Sequence, residues 1–190
     1  YKLAFRVAVN ANRVTPITLP AVVSLVLLGS LPRALTASEL SDRVMAVVGW
    51  ARERNIPLSS SYDRADRDRL DEVMEMMIQR DLLTRFDSGL ETVYGIGENE
   101  HSVAGYYRNT VIHFFVNKAI IELALLKASE NEGEGALEVF WSEVDQLRDL
   151  FKFEFFYAPT EEFHQQIREE LDRYNDDWES VLSQGAVGFG

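Results

Sequence analysis

Apolar positions recur along this chain mostly at the three-to-four spacing of helices, and polar breaks separate the runs. Residues 14–32 carry no charge, hold Leu25-Val26-Leu27-Leu28 at their centre and are interrupted by Pro16, Pro20, Gly29 and Pro32. The uninterrupted helical part, about residues 20–28, rises only ~14 Å, against a hydrocarbon core of roughly 30 Å. The stretch therefore predicts a buried core helix rather than a membrane span, with interfacial contact of residues 18–30 as the alternative. Thr36 and Glu39 have the spacing of a capping box, and Leu40, Val44, Val47, Val48 and Ala51 recur behind them on one face. That pattern predicts a helix over about 36–54. Asn55-Ile56-Pro57 stops it, Ser59-Ser60-Ser61 makes a polar loop, and the stripe Leu70, Val73, Met74, Met77 marks a helix over about 66–80. Residues 82–86 and 90–96 flank Asp87-Ser88-Gly89, whose glycine can take the positive φ of a tight reversal, so a β-hairpin follows.

Downstream, residues 103–127 predict one long central helix that packs Ile112, Phe115, Val116, Ile120, Leu123 and Leu126 and pairs Lys118 with Glu122 four apart. Leu137, Phe140, Val144, Leu147 and Phe151 then step by 3, 4, 3 and 4 with acidic residues on the other faces. Phe163, Ile167, Leu171, Tyr174, Trp178 and Val181 repeat that stripe, and residues 131–135 link the central helix to this acidic pair. The expected fold class is mainly α: winged-helix-like helices plus one β-hairpin over 1–98, then a long central helix and an acidic helical pair over 99–190.

Charge is divided unequally. The net value is 19 − 31 = −12, and residues 127–190 contribute 5 − 16 = −11 of it. Such a field repels nucleic acid phosphates and anionic headgroups, so any anion site must be local. A winged helix invites a DNA reading, yet the candidate recognition helix, 66–80, holds three Arg against five acids, 3 − 5 = −2. The scaffold is thus expected without nucleic acid as partner. The absence of cysteine removes disulfides, thiol nucleophiles and Cys-ligated zinc, and three histidines leave little for a His-rich metal site. Tyr1 opens the chain without a secretory leader pattern, which leads us to expect a piece of a longer protein.

Self-contained catalytic signatures are missing: no Gly-x-Gly-x-x-Gly, no P-loop, no His-Glu-x-x-His and no Gly-x-Ser-x-Gly. Gly95-Ile96-Gly97 runs into Glu98-Asn99-Glu100, which would oppose a phosphate, and reads better as the end of the hairpin. Asp63, Asp66 and Asp68 alternate with Arg64, Arg67 and Arg69 and lack the glycine of a calcium loop, so they read as a solvated helix start. The carboxylates of 127–190 read as solvated faces. One polar set stands out: Asn109, His113 and Asn117, four apart, form a ridge on an otherwise apolar helix. A satisfied core histidine with amide neighbours is the plain reading; an interdomain contact or direct substrate contact are the others.

Two blocks carry a family resemblance. Asn12-Arg13-Val14-Thr15-Pro16-Ile17-Thr18, the uncharged helix through Leu28, Arg33-Ala34-Leu35-Thr36 and Glu39-Leu40 resemble the opening of the C-terminal region of bacterial membrane-associated glycerol-3-phosphate acyltransferases. Tyr106-Tyr107-Arg108-Asn109 with His113-Phe114 resembles a second block of that family, about ninety residues on and in the expected order. The likeness covers most of the chain and is weakest after about residue 130.

The resemblance implies an enzyme that moves a fatty acyl group from acyl-CoA or acyl carrier protein to the 1-hydroxyl of glycerol 3-phosphate, the first acylation of phospholipid synthesis, at the cytoplasmic face of the bacterial cell membrane. In that family a His-x-x-x-x-Asp motif supplies the base, with the Asp holding the imidazole in one tautomer. Here the fifth residue after His101 is Tyr106, after His113 Lys118 and after His164 Glu169. The family's phosphate-binding Pro-Glu-Gly-Thr-type block is absent too; Glu132-Gly133-Glu134-Gly135 lacks its Thr and a following Arg. No catalytic, cofactor-binding or metal-binding residue is therefore carried over, no cofactor is expected, and the segment alone is expected to be inactive. Its expected partner is an upstream acyltransferase domain of the same polypeptide, docked through Asn12, Arg13, Arg108, Asn109 and His113, with the membrane surface reached through the parent. The alternative is a winged-helix-type regulatory domain that binds a protein or DNA, or acidic helices that engage a partner in a strongly salt-dependent way.

Overall fold

Helix starts and stops fix the order of elements. The computed structural model describes residues 2–59, 67–130 and 135–184, and its contacts divide after His113 into a first unit, Tyr1–His113, and a second, Phe114–Gly190.

In the first unit, α1 (Lys2–Val14) precedes α2 (Leu19–Ser30), where Pro20 in the first turn has no N–H to waste. Between them Ile17, fully buried, donates its N–H to the Pro57 carbonyl at 2.8 Å and accepts from Ser59, a short parallel bridge that pins the linker. The α2 helix is the core helix its hydropathy demands, with Ala21, Val22, Val23, Ser24 and Leu27 buried. Among the described residues, no helix is long and apolar enough to cross a membrane.

The strand β1 (Leu35–Thr36) leads into α3 (Ala37–Glu53), and Thr36 closes the expected capping box with Glu39. The Thr36 N–H donates to the Glu39 carboxylate at 3.0 Å and the Glu39 N–H to Thr36 Oγ1 at 3.2 Å. That backbone donor, with the Arg33 guanidinium beyond it, holds the Glu39 carboxyl below its ordinary value. The α4 helix (Arg67–Gln79) follows, then β2 (Leu83–Phe86) and β3 (Val93–Ile96). The sheet runs antiparallel in the order β1-β3-β2, with Leu35 opposite Tyr94 and Leu83 opposite Ile96. Helix, strand, two helices and a hairpin whose last strand lies in the middle is the winged-helix topology expected from the sequence, with β1 as its third strand.

Two details differ from the pattern-based expectation. The second hairpin strand starts at Val93, not at residue 90: Leu90 is fully exposed, and Thr92 Oγ1 donates to Asp87 Oδ1 at 2.9 Å across a loop longer than a tight turn. The glycine with positive φ among the described residues is Gly135, at 110°, where α7 begins, and not Gly89. Residues 60–66, which include Ser60, Ser61, Asp63, Arg64 and Asp66, and residues 131–134, which include Glu132 and Gly133, lie outside the described residues.

The long central helix is two helices. α5 (His101–Asn109) ends where Thr110 Oγ1 donates to the Tyr107 carbonyl at 2.7 Å and Val111 N–H to Arg108, and a 3₁₀ turn (Ile112–Phe114) precedes α6 (Val116–Ser129). The Thr hydroxyl competes for a helical carbonyl, and the β-branched run Thr110-Val111-Ile112 resists continuation. Val111, fully buried, is the reason the turn is tolerated. Because α5 packs on α2, it belongs to the first unit, and the contacts part after His113 rather than at the 98/99 boundary drawn from the sequence.

In the second unit α6 packs on α7 (Ala136–Phe151) and α8 (Thr160–Asp172), and α7 packs on α9 (Trp178–Ser183). Ile120, Phe140, Val144, Phe163, Ile167, Leu171, Trp178 and Leu182 form its core, as the stripes require. The expected second acidic helix is broken after Asp172: Asn175 Oδ1 accepts the Asp177 N–H at 2.9 Å, an Asx turn that frees the chain to fold Trp178 back onto Phe140, ring centroids 5.5 Å apart.

Candidate functional site

The residues proposed for docking fall at one end of the first unit's helices. The carbonyls in the last turn of a helix lack intrahelical donors, and here a histidine serves one of them: His113 Nε2 donates to the Asn12 carbonyl oxygen at 3.0 Å. The partner is an acceptor only, so Nε2 carries the proton. Burial pushes the His113 pKa below its ordinary 6.5, and the Asn12 carbonyl opposes that only in part. His113 is half-buried, and it joins the turn after α5 to the end of α1.

Asn12 takes part through its backbone, so its side chain is not what the bond requires. Arg108 Nη2 and Nε both donate to Asn109 Oδ1, at 2.9 and 3.2 Å, so this neighbouring pair is self-contained. Arg13 and Asn109 are exposed and Arg108 is half-buried. The expected ridge of Asn109, His113 and Asn117 is not one helix face: the break at 110–115 separates Asn109 from α6, and Asn117 Nδ2 donates to Gln166 Oε1 at 3.3 Å within the second unit. Asn12 and His113 are thus brought together, and Arg108 with Asn109, while Asn117 has other business.

No histidine of the chain has an Asp five residues after it. The structure supplies a pair that no local spacing signals: His164 Nε2 bonds Asp145 Oδ1 at 2.7 Å, from α8 to α7. The imidazole also lies 4.8 Å from the Trp141 ring, and Arg168, paired with Glu179 at 3.2 Å, covers that ring at 4.6 Å. The first, second and last of these contacts join α8 to α7 and the Arg168–Glu179 pair joins α8 to α9, so together they clasp the three helices. Only the i, i+3 and i, i+4 stripes of facing helices could have hinted at it.

A cleft of about 470 Å³ lies at the base of the hairpin, lined by Asp81, Arg85, Asp87, Glu98 and Glu100 among others. Its cation is committed: Arg85 donates to Asp87 at 3.0 Å and to Glu75 at 3.1 Å. The Asp87 hydrogen bond and charge, with Glu75 adding, raise the Arg85 pKa further. Such a lining repels a phosphate. Nearby, α4 exposes Asp68, Asp71, Glu72 and Glu75, with Arg69 ion-paired to Glu72, a face that disfavours duplex phosphates. Among the described residues no group of three or more His, Asp or Glu is placed to hold a metal ion.

The family model for the glycerol-3-phosphate acyltransferase C-terminal region matches residues 1–186. The chain belongs to that family. It is also 37% identical over 172 residues to proteins that carry the name acyltransferase plsB1 in Mycobacterium bovis and in two strains of Mycobacterium tuberculosis. The matched segment is 90% of this chain and 28% of each relative, so the chain spans only about a quarter of the length of these relatives. A C-terminal acyltransferase region with a winged-helix first unit and a helical, acidic second unit is therefore what the residues build.

Proposed function

We propose that this region supports the catalytic domain of a parent glycerol-3-phosphate 1-O-acyltransferase and carries none of the acyl-transfer chemistry itself. The parent would move a fatty acyl group from acyl-CoA or acyl carrier protein to the sn-1 hydroxyl of glycerol 3-phosphate, at the cytoplasmic face of the bacterial cell membrane. The observation that carries this reading is the pairing of family membership over residues 1–186 with a sequence in which no histidine is followed five residues later by Asp. Acyl transfer to a hydroxyl needs a base within hydrogen-bond reach of that hydroxyl and cations for the phosphate. The hairpin cleft offers a committed arginine among carboxylates, and the His164 ring is held between Asp145 and Trp141.

Docking on the upstream domain is assigned to the end of the first unit that carries Asn12, Arg13, Arg108, Asn109 and His113. The test is made in the full-length enzyme, with labelled glycerol 3-phosphate and acyl-CoA or acyl carrier protein as donors and the acyl position read from the product. Asn109→Ala and His113→Ala should each lower activity or the thermal midpoint. Unchanged values for both reject the docking role, and a 190-residue chain that turns over an acyl thioester alone rejects the non-catalytic reading.

A further inference from the structure

The turn between α7 and α8 exposes apolar side chains where a solvated turn ordinarily carries polar ones. Residues 150–157 read Leu-Phe-Lys-Phe-Glu-Phe-Phe-Tyr. Phe155 and Tyr157 pack inward on the core of the second unit, and Phe151 meets Phe155 edge-on at 6.3 Å. Leu150 in the last turn of α7 and Phe153 and Phe156 beyond it are instead 68%, 91% and 52% exposed. Single exposed apolar residues are ordinary, but three large ones within seven residues, at the end of α7 and in the turn after it, mark an interaction surface.

Charge selects what covers it. The second unit holds six Lys and Arg against seventeen Asp and Glu, 6 − 17 = −11. Lys118, Lys127, Lys152, Arg168 and Arg173 are ion-paired with Glu122, Glu130, Asp149, Glu179 and Glu170. The sixth cation, Arg148, is half-buried, stacks 5.4 Å from the Phe163 ring and donates to the Ala158 carbonyl. Exposed Glu154, Glu161 and Glu162 add to the rim. An anionic bilayer would meet this corner against its charge, and a second copy of the unit would bring the same negative excess. The corner fits a protein surface that supplies apolar contact within a basic rim.

On the function proposed above, the part of the acyltransferase outside this chain would have that chemistry. Glycerol 3-phosphate and the acyl thioester donors are anions, so the surface that holds them must present Lys and Arg. The relatives extend far beyond the matched segment, which is 28% of each, and tethering in one polypeptide gives an effective concentration of about millimolar. We propose that the Leu150/Phe153/Phe156 corner docks on a basic, apolar-lined surface of the upstream part of the same polypeptide; this rests on the function proposed above.

The experiment places the photo-crosslinker benzoylphenylalanine at position 153 of the full-length enzyme and, in a separate protein, at position 180. Ser180 is an exposed site on α9, which packs near the opposite end of α7. Irradiation should give an intramolecular crosslink from 153 to an upstream peptide rich in Lys and Arg, about tenfold or more above the yield from 180, as tethered contact requires. Crosslinks from 153 to lipid or to a second copy, or no crosslinked peptide at all, overturn the proposal. If the unsubstituted enzyme fails to acylate glycerol 3-phosphate, the functional reading falls while an upstream crosslink still upholds the docking. If acylation is normal and position 153 finds no upstream peptide, only the docking falls.

Discussion

Replacing Phe140 by Ala tests the core of the second unit at its most constrained point. Phe140 is fully buried, with its ring centroid 5.2 Å from Trp141 and 5.5 Å from Trp178, so the deleted ring leaves a hole walled by two large, stiff side chains. Trp178 is itself held by the bond from its Nε1 to Asp172 Oδ1 at 3.0 Å, and Trp141 lies under Arg168, so neither is free to collapse into the gap. A poorly relaxing Phe-to-Ala site costs about 3–5 kcal/mol, a range that already contains aromatic contacts of about 0.5–1.5 kcal/mol each. We take about 4 kcal/mol. Urea unfolding of the chain in a Trp50→Phe background reads only Trp141 and Trp178, the two remaining tryptophans. With a urea slope near ~1.5 kcal/mol per molar, the midpoint should drop by roughly 2–3 M, or the folded baseline should vanish. Phe140→Leu keeps most of the volume and should lose no more than about 1.5 kcal/mol. A Phe140→Ala midpoint within about 0.3 M of the parent would show that this ring is not the centre of the packing and that α7 is not tightly held there.

Two further outcomes follow from local geometry. A Cβ on Gly97 would stand 2.7 Å from the Asp81 carbonyl oxygen, and Asp81 is already at a φ of 60°. Gly97→Ala should therefore lose about 1–3 kcal/mol in thermal unfolding, whereas Gly95→Ala, with open space at its Cβ, is the control; equal midpoints would refute the clash. His113 gives a pH dependence of definite sign: its folded pKa lies below 6.5, so on acidification the unfolded chain takes up the proton first. The stability due to this group is present above 6.5 and is lost as pH falls below it, so His113→Gln should flatten that part of the fall in urea midpoint relative to the parent chain. Parallel curves for the two proteins would refute the assignment.

Much of the fold was readable because each signal is local. The Thr36/Glu39 capping box, the proline-bounded apolar run of α2 and the stripes of α4, α7 and α8 each depend on neighbours within a turn or two of helix. The breaks were harder. Apolar spacing runs straight through residues 110–115, and the competing hydrogen bond of Thr110 decides against continuity only once Val111 has a core to enter. The same holds after Asp172, where Trp178 repeats the stripe but reaches Phe140 only if the helix stops. The α1 helix and the two-residue β1 had no reading from the sequence: β1 is too short to show a period, and it exists because Val93 and Tyr94 pair with it.

The candidate site divides in the same way. His113 and the Arg108-Asn109 pair stand out in the sequence as polar groups on an apolar background. Their partners do not: a backbone carbonyl 101 residues away for His113, and Asp145 for His164. The sequence by itself determined the helical class, the winged-helix order, the acidic last third and the lack of a His-x-x-x-x-Asp base, all properties of composition and short spacing. Only the tertiary structure decided where the helices break, that the Asn109-His113-Asn117 ridge is divided between two units, and which aromatic residues of 150–157 stay outside. The physical reason is that a side chain's partner across the chain is set by packing of whole elements, and nothing in its own neighbourhood encodes the distance.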